Sequence, residues 1–135
     1  MKNIYIDSSA ILKLIVQEKE SDAVRSITRA RFITSEISRV EIIRAVLRHE
    51  PKALKTAESV LKNINILTID SATLTQAERL PERINIRGLD AIHLASAGKF
   101  GLRITALLTY DKQMAKAARE LGFEVLAPTE VESED

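Results

Sequence analysis

Ile4-Tyr5-Ile6-Asp7-Ser8-Ser9-Ala10 lies almost at the start of the chain, and its reading decides the architecture. Ile4, Tyr5 and Ile6 are a short strand signal, and Asp7 ends it. Asp is unfavourable within a strand, and Ser8 and Ser9 already supply hydroxyls suited to capping the helix that follows, so Asp7 calls for another reason to be there. Three further carboxylates repeat the pattern. Glu41 sits among Val40, Ile42 and Ile43, Asp90 opens the apolar run Ala91-Ile92-His93-Leu94-Ala95, and Asp111 comes two residues after Leu107-Leu108-Thr109. An acid beside so much hydrocarbon costs free energy unless it is capped, paired or bound to a metal. Four such acids, far apart in the chain, have the layout of a hard-cation site assembled by folding.

Outward from that stretch, short β-branched runs alternate with longer amphipathic ones. The pattern predicts strands at 4–6, 32–34, 64–69, 106–109 and 124–126. It predicts helices near 10–16, 21–29, 38–48, 51–62, 71–80, 90–99 and 112–121. Pro51 fits a first helical turn, Gly101 and Gly122 fit just past helix ends, and Ser38 and Asp111 fit as caps. Strands joined by crossover helices imply a three-layer α/β domain with a mostly parallel sheet of four to five strands flanked by helices. Ligands of such sheets collect outside the carboxyl ends of the strands, where strand order reverses. Asp7 and Asp111 follow strands directly, and Asp90 and Glu41 reach the same edge from the first turns of their helices.

Composition narrows the function classes. The 135 residues suit one domain, read as 1–128, and 45% hydrophobic residues supply its core. Four acids in the six residues 130–135 mark 129–135 as an acidic, disordered tail. With no cysteine, disulfides, thiolate zinc sites and a cysteine nucleophile are excluded. Neither a secretory signal nor an apolar run long enough to span a membrane is present, so the expected location is the cytoplasm. The net charge of +1 hides an asymmetry: residues 1–67 carry 12 Lys and Arg against 8 acids, and residues 68–135 carry 8 against 11. The basic excess around Glu41, which includes Arg44 and Arg48, is able to draw a phosphate-rich ligand, although a solvated helix surface accounts for it equally well. Three Phe, two Tyr and no Trp argue against a base-stacking platform.

Each acid also has a plainer reading. Asp90 and Asp111 read equally as helix caps, and Glu41 as a solvated residue paired with Arg44. His93 shares the helical face of Asp90 but reads as a packed, hydrogen-bonded histidine among Ala91, Leu94 and Ala95. His49 reads as surface. Neither histidine is placed in the site. A signalling receiver domain would use Asp7, Asp70 and Thr109, but the paired acids at the first strand are absent. No Lys follows the last strand either, where Leu126-Ala127-Pro128 stands. A dehalogenase-like phosphatase would need Asp where Ser9 stands, and four glycines include no phosphate loop.

With Tyr5-Ile6-Asp7-Ser8-Ser9-Ala10, Ser35-Glu36-Ile37-Ser38-Arg39-Val40-Glu41, Leu89-Asp90-Ala91-Ile92-His93-Leu94-Ala95 and Leu108-Thr109-Tyr110-Asp111 in that order, the chain resembles the PIN-domain ribonucleases, specifically the VapC-type toxins of bacterial toxin–antitoxin pairs. The resemblance covers essentially the whole chain. It implies a PIN-like, Rossmann-like fold and an acidic quartet of Asp7, Glu41, Asp90 and Asp111, with Ser9 and Thr109 as polar neighbours. Glu36 is a competing acid whose spacing after Thr34 fits the pattern less well. The resemblance further implies an endoribonuclease dependent on Mg²⁺ or Mn²⁺, a cognate antitoxin and a homodimer. A degenerate PIN domain that only binds RNA or protein is the non-enzymatic alternative. The chemistry suits the residues, because hard cations take oxygen ligands and phosphodiester cleavage gains from an ion that activates water and offsets phosphoryl charge.

Overall fold

The computed structural model describes residues 1–131; the expected tail therefore falls mostly on residues 132–135, outside the described residues. Five strands are present among the described residues: β1 (Lys2–Ile6), β2 (Ala30–Ser35), β3 (Asn65–Leu67), β4 (Ala106–Leu108) and β5 (Val125–Leu126). They form one sheet in the order β3-β2-β1-β4-β5, with every pairing parallel. The helices are α1 (Ser8–Ile15), α2 (Ser21–Arg25), α3 (Glu36–His49), α4 (Leu54–Lys62), α5 (Ser71–Glu78), α6 (Gly88–Gly98) and α7 (Lys112–Glu120). All seven fall where the periodicity predicts them, with ends shifted by a few residues.

A parallel sheet covered on both faces must bury consecutive strand residues rather than alternate ones. The central strands do so. Tyr5 and Leu107, paired in register, point into one apolar cluster with Leu94, Ala97, Met114, Ala117 and Ala118 of α6 and α7. Ile4, Ile6 and Leu108 point into the other, with Ala10, Ile11, Ile42, Val46, Ala57 and Leu61 of α1, α3 and α4. One-residue alternation along β1 and β4 thus holds a helical layer on each side of the sheet.

Three expected caps are corrected. Ser35, not Ser38, caps α3, its Oγ accepting from Ile37 N at 3.2 Å. Helix formation starts as soon as β2 ends, which leaves Ser38 buried inside the first turn and bonded to Thr34 Oγ1 at 2.6 Å. Asp7, rather than Ser8 or Ser9, caps α1 through Ala10 N. Its extended backbone is what the N-cap position requires. Asp90 is not a cap either. Arg87 holds that position on α6, and Asp90 sits in the first turn, where the helix dipole favours an acid. Asp111 caps α7 as expected, its Oδ1 accepting from Gln113 N and Met114 N. Gly101 and Gly122 take φ of 52° and 92°, the left-handed turn conformation that a side chain disfavours.

Candidate active site

Strand order reverses between β1 and β4, and the chain leaves both at the same edge. Asp7 follows Ile6 there, tied to the neighbouring strand by its N–H donating to Leu108 O at 3.2 Å. It is only 4% exposed. Asp7 Oδ1 accepts from Ser9 Oγ at 2.6 Å and Ala10 N at 3.1 Å, and Oδ2 accepts from Thr109 Oγ1. Ser9 Oγ in turn accepts from Tyr110 N at 2.9 Å, and Thr109 Oγ1 from Asp111 N at 3.1 Å. The two expected polar neighbours therefore pin Asp7 and the turn before α7 to each other. Burial pushes the Asp7 carboxyl above the ordinary range, more strongly than its hydroxyl and amide donors pull it down.

Glu41 arrives from the second turn of α3 rather than the first. Its Oε1 accepts from Ser8 Oγ at 2.6 Å and from His93 Nε2 at 2.9 Å, so its partners are these two residues rather than Arg44. Burial alone would raise its pKa. The bonds from His93 and Ser8, with the nearby charge of Arg87, outweigh burial and hold Glu41 below the usual carboxylate range. His93 is buried and hydrogen-bonded, as its apolar neighbours suggest, but its partners bring it into the wall of the site.

Asp90 and Asp111 are brought together by Arg87, whose Nη2 lies 3.6 Å from Asp90 Oδ2 and 3.9 Å from Asp111 Oδ2. Neither approach is a hydrogen bond, and Asp90 Oδ2 is buried without any hydrogen-bond partner. Burial, then the negative charge of Asp111, raises the Asp90 pKa. An orphaned, buried carboxylate oxygen with a guanidinium standing between two acids fits a cation. Among the described residues no group of three or more His, Asp or Glu side chains is gathered closely enough to hold a metal ion as it stands. To hold an ion, Asp90 and Asp111 would have to exchange Arg87 for it.

The other sequence candidates separate cleanly. Glu36 is exposed and accepts from Ile69 N at 2.6 Å, which ties α3 to the loop after β3. Asp70, which follows edge strand β3, two strands away from β1, caps α5 and meets Lys99 at 3.0 Å, and none of its bonds goes to Asp7 or Thr109, so the three form no receiver-like trio. Exposed Arg44 and Arg48 line a groove with Glu41, Val40 and Leu89. A second cleft, between α5 and α6, is lined by Glu41, Arg87 and Asp90 and by Leu74 and Leu89. Ser8, Arg87 and His93 touch these acids and were left out by sequence reasoning, and Tyr5 is buried behind His93. For Arg87 a signal existed, since it precedes Asp90 by three residues.

Against known proteins, the family described as PIN domain matches residues 4–120. Ribonuclease VapC46 of Mycobacterium tuberculosis (strain ATCC 25618 / H37Rv) is 42% identical over 131 residues, covering 96% of this chain and all of the relative. Ribonuclease VapC35 of the same species is 40% identical over 93% of this chain and 96% of its own length. Among solved structures, M. tuberculosis VapC20 superposes with a TM-score of 0.71 at 19% identity, over 89% of this chain and 95% of that one. A toxin–antitoxin complex from Klebsiella pneumoniae gives 0.70 at 18%, over 92% and 96%. These two share the fold. A catalogue of folds alone would stop there, but near-full-length identity of this degree goes further: the chain belongs to the PIN-domain family and, within it, to the VapC ribonucleases.

Proposed function

We propose that the chain is a divalent-cation-dependent endoribonuclease that hydrolyses RNA phosphodiester bonds and serves as the toxin of a toxin–antitoxin pair. The observation that carries the reading is the buried Asp90 Oδ2, which has no hydrogen-bond partner and shares the Arg87 guanidinium with Asp111, at the sheet edge where Asp7 and Glu41 also end. Asp7 and Asp90 are the main ligands in this reading. Asp111 is a ligand to the same or a second ion, and Glu41 is a ligand or the orienter of the attacking water. Bound Mg²⁺ or Mn²⁺ supplies a nucleophilic water at neutral pH and offsets charge on the phosphoryl and leaving oxygens. Ser9 and Thr109 keep Asp7 in place, and Arg87, which stands between Asp90 and Asp111, would be free to meet a phosphate if an ion took its place. The nuclease domain is residues 1–128, with 129–135 an acidic extension.

Partners follow the family. A cognate antitoxin is part of the proposal, supported by the likeness to a solved toxin–antitoxin complex, and so is the homodimer that the family resemblance implies. The reading is tested by incubating the purified chain with RNA and with DNA of one sequence, with Mg²⁺ and with excess EDTA. Internal cuts confined to RNA and lost in EDTA are expected. RNA binding without cleavage would return the chain to the non-cleaving alternative.

Arg44 and Arg48 stand next to Glu41 on the exposed side of α3 and are the proposed phosphate contacts. Replacing both with Ala should weaken RNA binding at every sequence and flatten the log–log salt dependence by roughly 0.7 per lost contact. Titrations by fluorescence anisotropy across a salt series measure that slope. An unchanged slope would return both residues to the solvated-surface reading.

A further inference from the structure

Tyr5 and Ser35 stand on adjacent strands, and a continuous run of hydrogen bonds leads from them to Glu41. Ser35 N donates to Tyr5 Oη at 3.2 Å, Tyr5 Oη lies 2.8 Å from His93 Nδ1, and His93 Nε2 lies 2.9 Å from Glu41 Oε1. A carboxylate can only accept, so the Glu41 contact calls for the hydrogen on Nε2 and leaves Nδ1 to accept from the Tyr5 hydroxyl, which also has the Ser35 and Thr34 side chains as partners. A neutral ring that accepts at Nδ1 carries its hydrogen on Nε2, the atom facing Glu41.

The surroundings hold this arrangement rigidly. Tyr5 is fully buried and His93 is 2% exposed, and their rings pack edge-on at 5.9 Å and 76°. Ser35 is also the cap of α3, so the run begins and ends on the helix that carries Glu41. We propose that Tyr5 and His93 are positioning residues for the nuclease reaction, a buried relay that keeps His93 in one tautomer and holds Glu41 with Oε1 engaged and Oε2 presented to the site. Ser8 Oγ, donating to the same Oε1, completes the hold. The proposal rests on the reading of Glu41 as a member of the site. It deepens that reading by saying how a flexible Glu is kept in one pose, at a place where second-tier hydrogen bonds commonly govern ligand geometry.

The test uses the full chain and three variants that preserve bulk: Tyr5→Phe, His93→Leu and His93→Gln. Imidazole ¹⁵N NMR of the metal-free protein should show His93 protonated at Nε2 and bare at Nδ1, and Tyr5→Phe should shift the Nδ1 resonance from that of a hydrogen-bonded acceptor to that of a free one. A ring protonated at Nδ1, or an Nδ1 resonance unmoved by Tyr5→Phe, would overturn the relay. In cleavage assays His93→Leu should lose roughly 10- to 100-fold in kcat with KM little changed. His93→Gln, whose amide reaches Glu41 from the Nε2 position, should recover most of that loss at a similar melting temperature. Equal losses in Gln and Leu variants, or losses that merely follow melting temperature, would reduce His93 to core packing. Glu41→Gln separates the two levels. If it is inert while His93→Leu is fully active, the positioning role alone fails; if it cleaves like wild type, the assignment of Glu41 to the site fails and takes the relay's function with it.

Discussion

Asp7→Asn is expected to abolish RNA cleavage, by at least about 100-fold, while leaving a folded protein, because an amide keeps the shape of the carboxylate and loses the charge that would hold the ion. The surroundings make the substitution tolerable. Two of the three donors to Asp7 are the hydroxyls of Ser9 and Thr109, which rotate, so one of them can accept from the new amide. The third is the capping bond from Ala10 N, and Asn caps as well as Asp does. Burial also makes the Asp7 charge costly in the folded state, so its removal relieves the fold rather than straining it. Single-turnover cleavage with matched melting curves checks both halves. Wild-type cleavage that persists in excess EDTA would sink the metal mechanism, and an active Asp7→Asn would remove Asp7 from the site.

Asp90→Asn carries the second large effect, on metal-linked stability. For Asp90 the folded pKa is raised, first by burial and then by Asp111. A raised acid is penalised in its charged form. The penalty is absent below the unfolded value of about 3.9 and grows as pH rises from there through the folded pKa, so metal-free stability falls across that window. Asp90→Asn should flatten that fall and be neutral to stabilising by about 1 kcal/mol at neutral pH without metal. With Mg²⁺ the order reverses. Binding to the native state alone is worth about 2.7 kcal/mol when the ion is at one hundred times its dissociation constant, and the variant should lose most of that gain. Thermal melts of both proteins with and without millimolar Mg²⁺ decide it, and equal shifts would mean that Asp90 does not hold the ion.

Every element of the sheet and its helical layers was legible in the chain, for a local reason. The alternation of apolar runs and amphipathic stretches is a property of residues three or four apart or fewer, and so are Pro51 at a helix start and Gly101 and Gly122 past helix ends. The four acids and their order were legible on the same terms, since three of them stand where an apolar run stops or a helix opens and Glu41 interrupts the apolar residues Val40, Ile42 and Ile43. What each acid touches was not. Reasoning along one helix paired Glu41 with Arg44, three residues on. The folded chain pairs it with Ser8 and His93, 33 and 52 residues away, and pairs Asp7 with Thr109 across 102 residues. Local spacing also left His93 outside the site and moved the α3 cap three residues late, from Ser35 to Ser38. By itself the sequence determined the layers and the sheet edge at which Asp7 and Asp111 follow their strands. Only the tertiary structure decided the acids' partners, because the register of β1 against β4 and the approach of α6 to α3 set which donors reach which oxygen, and those distances exist in no local segment of the chain.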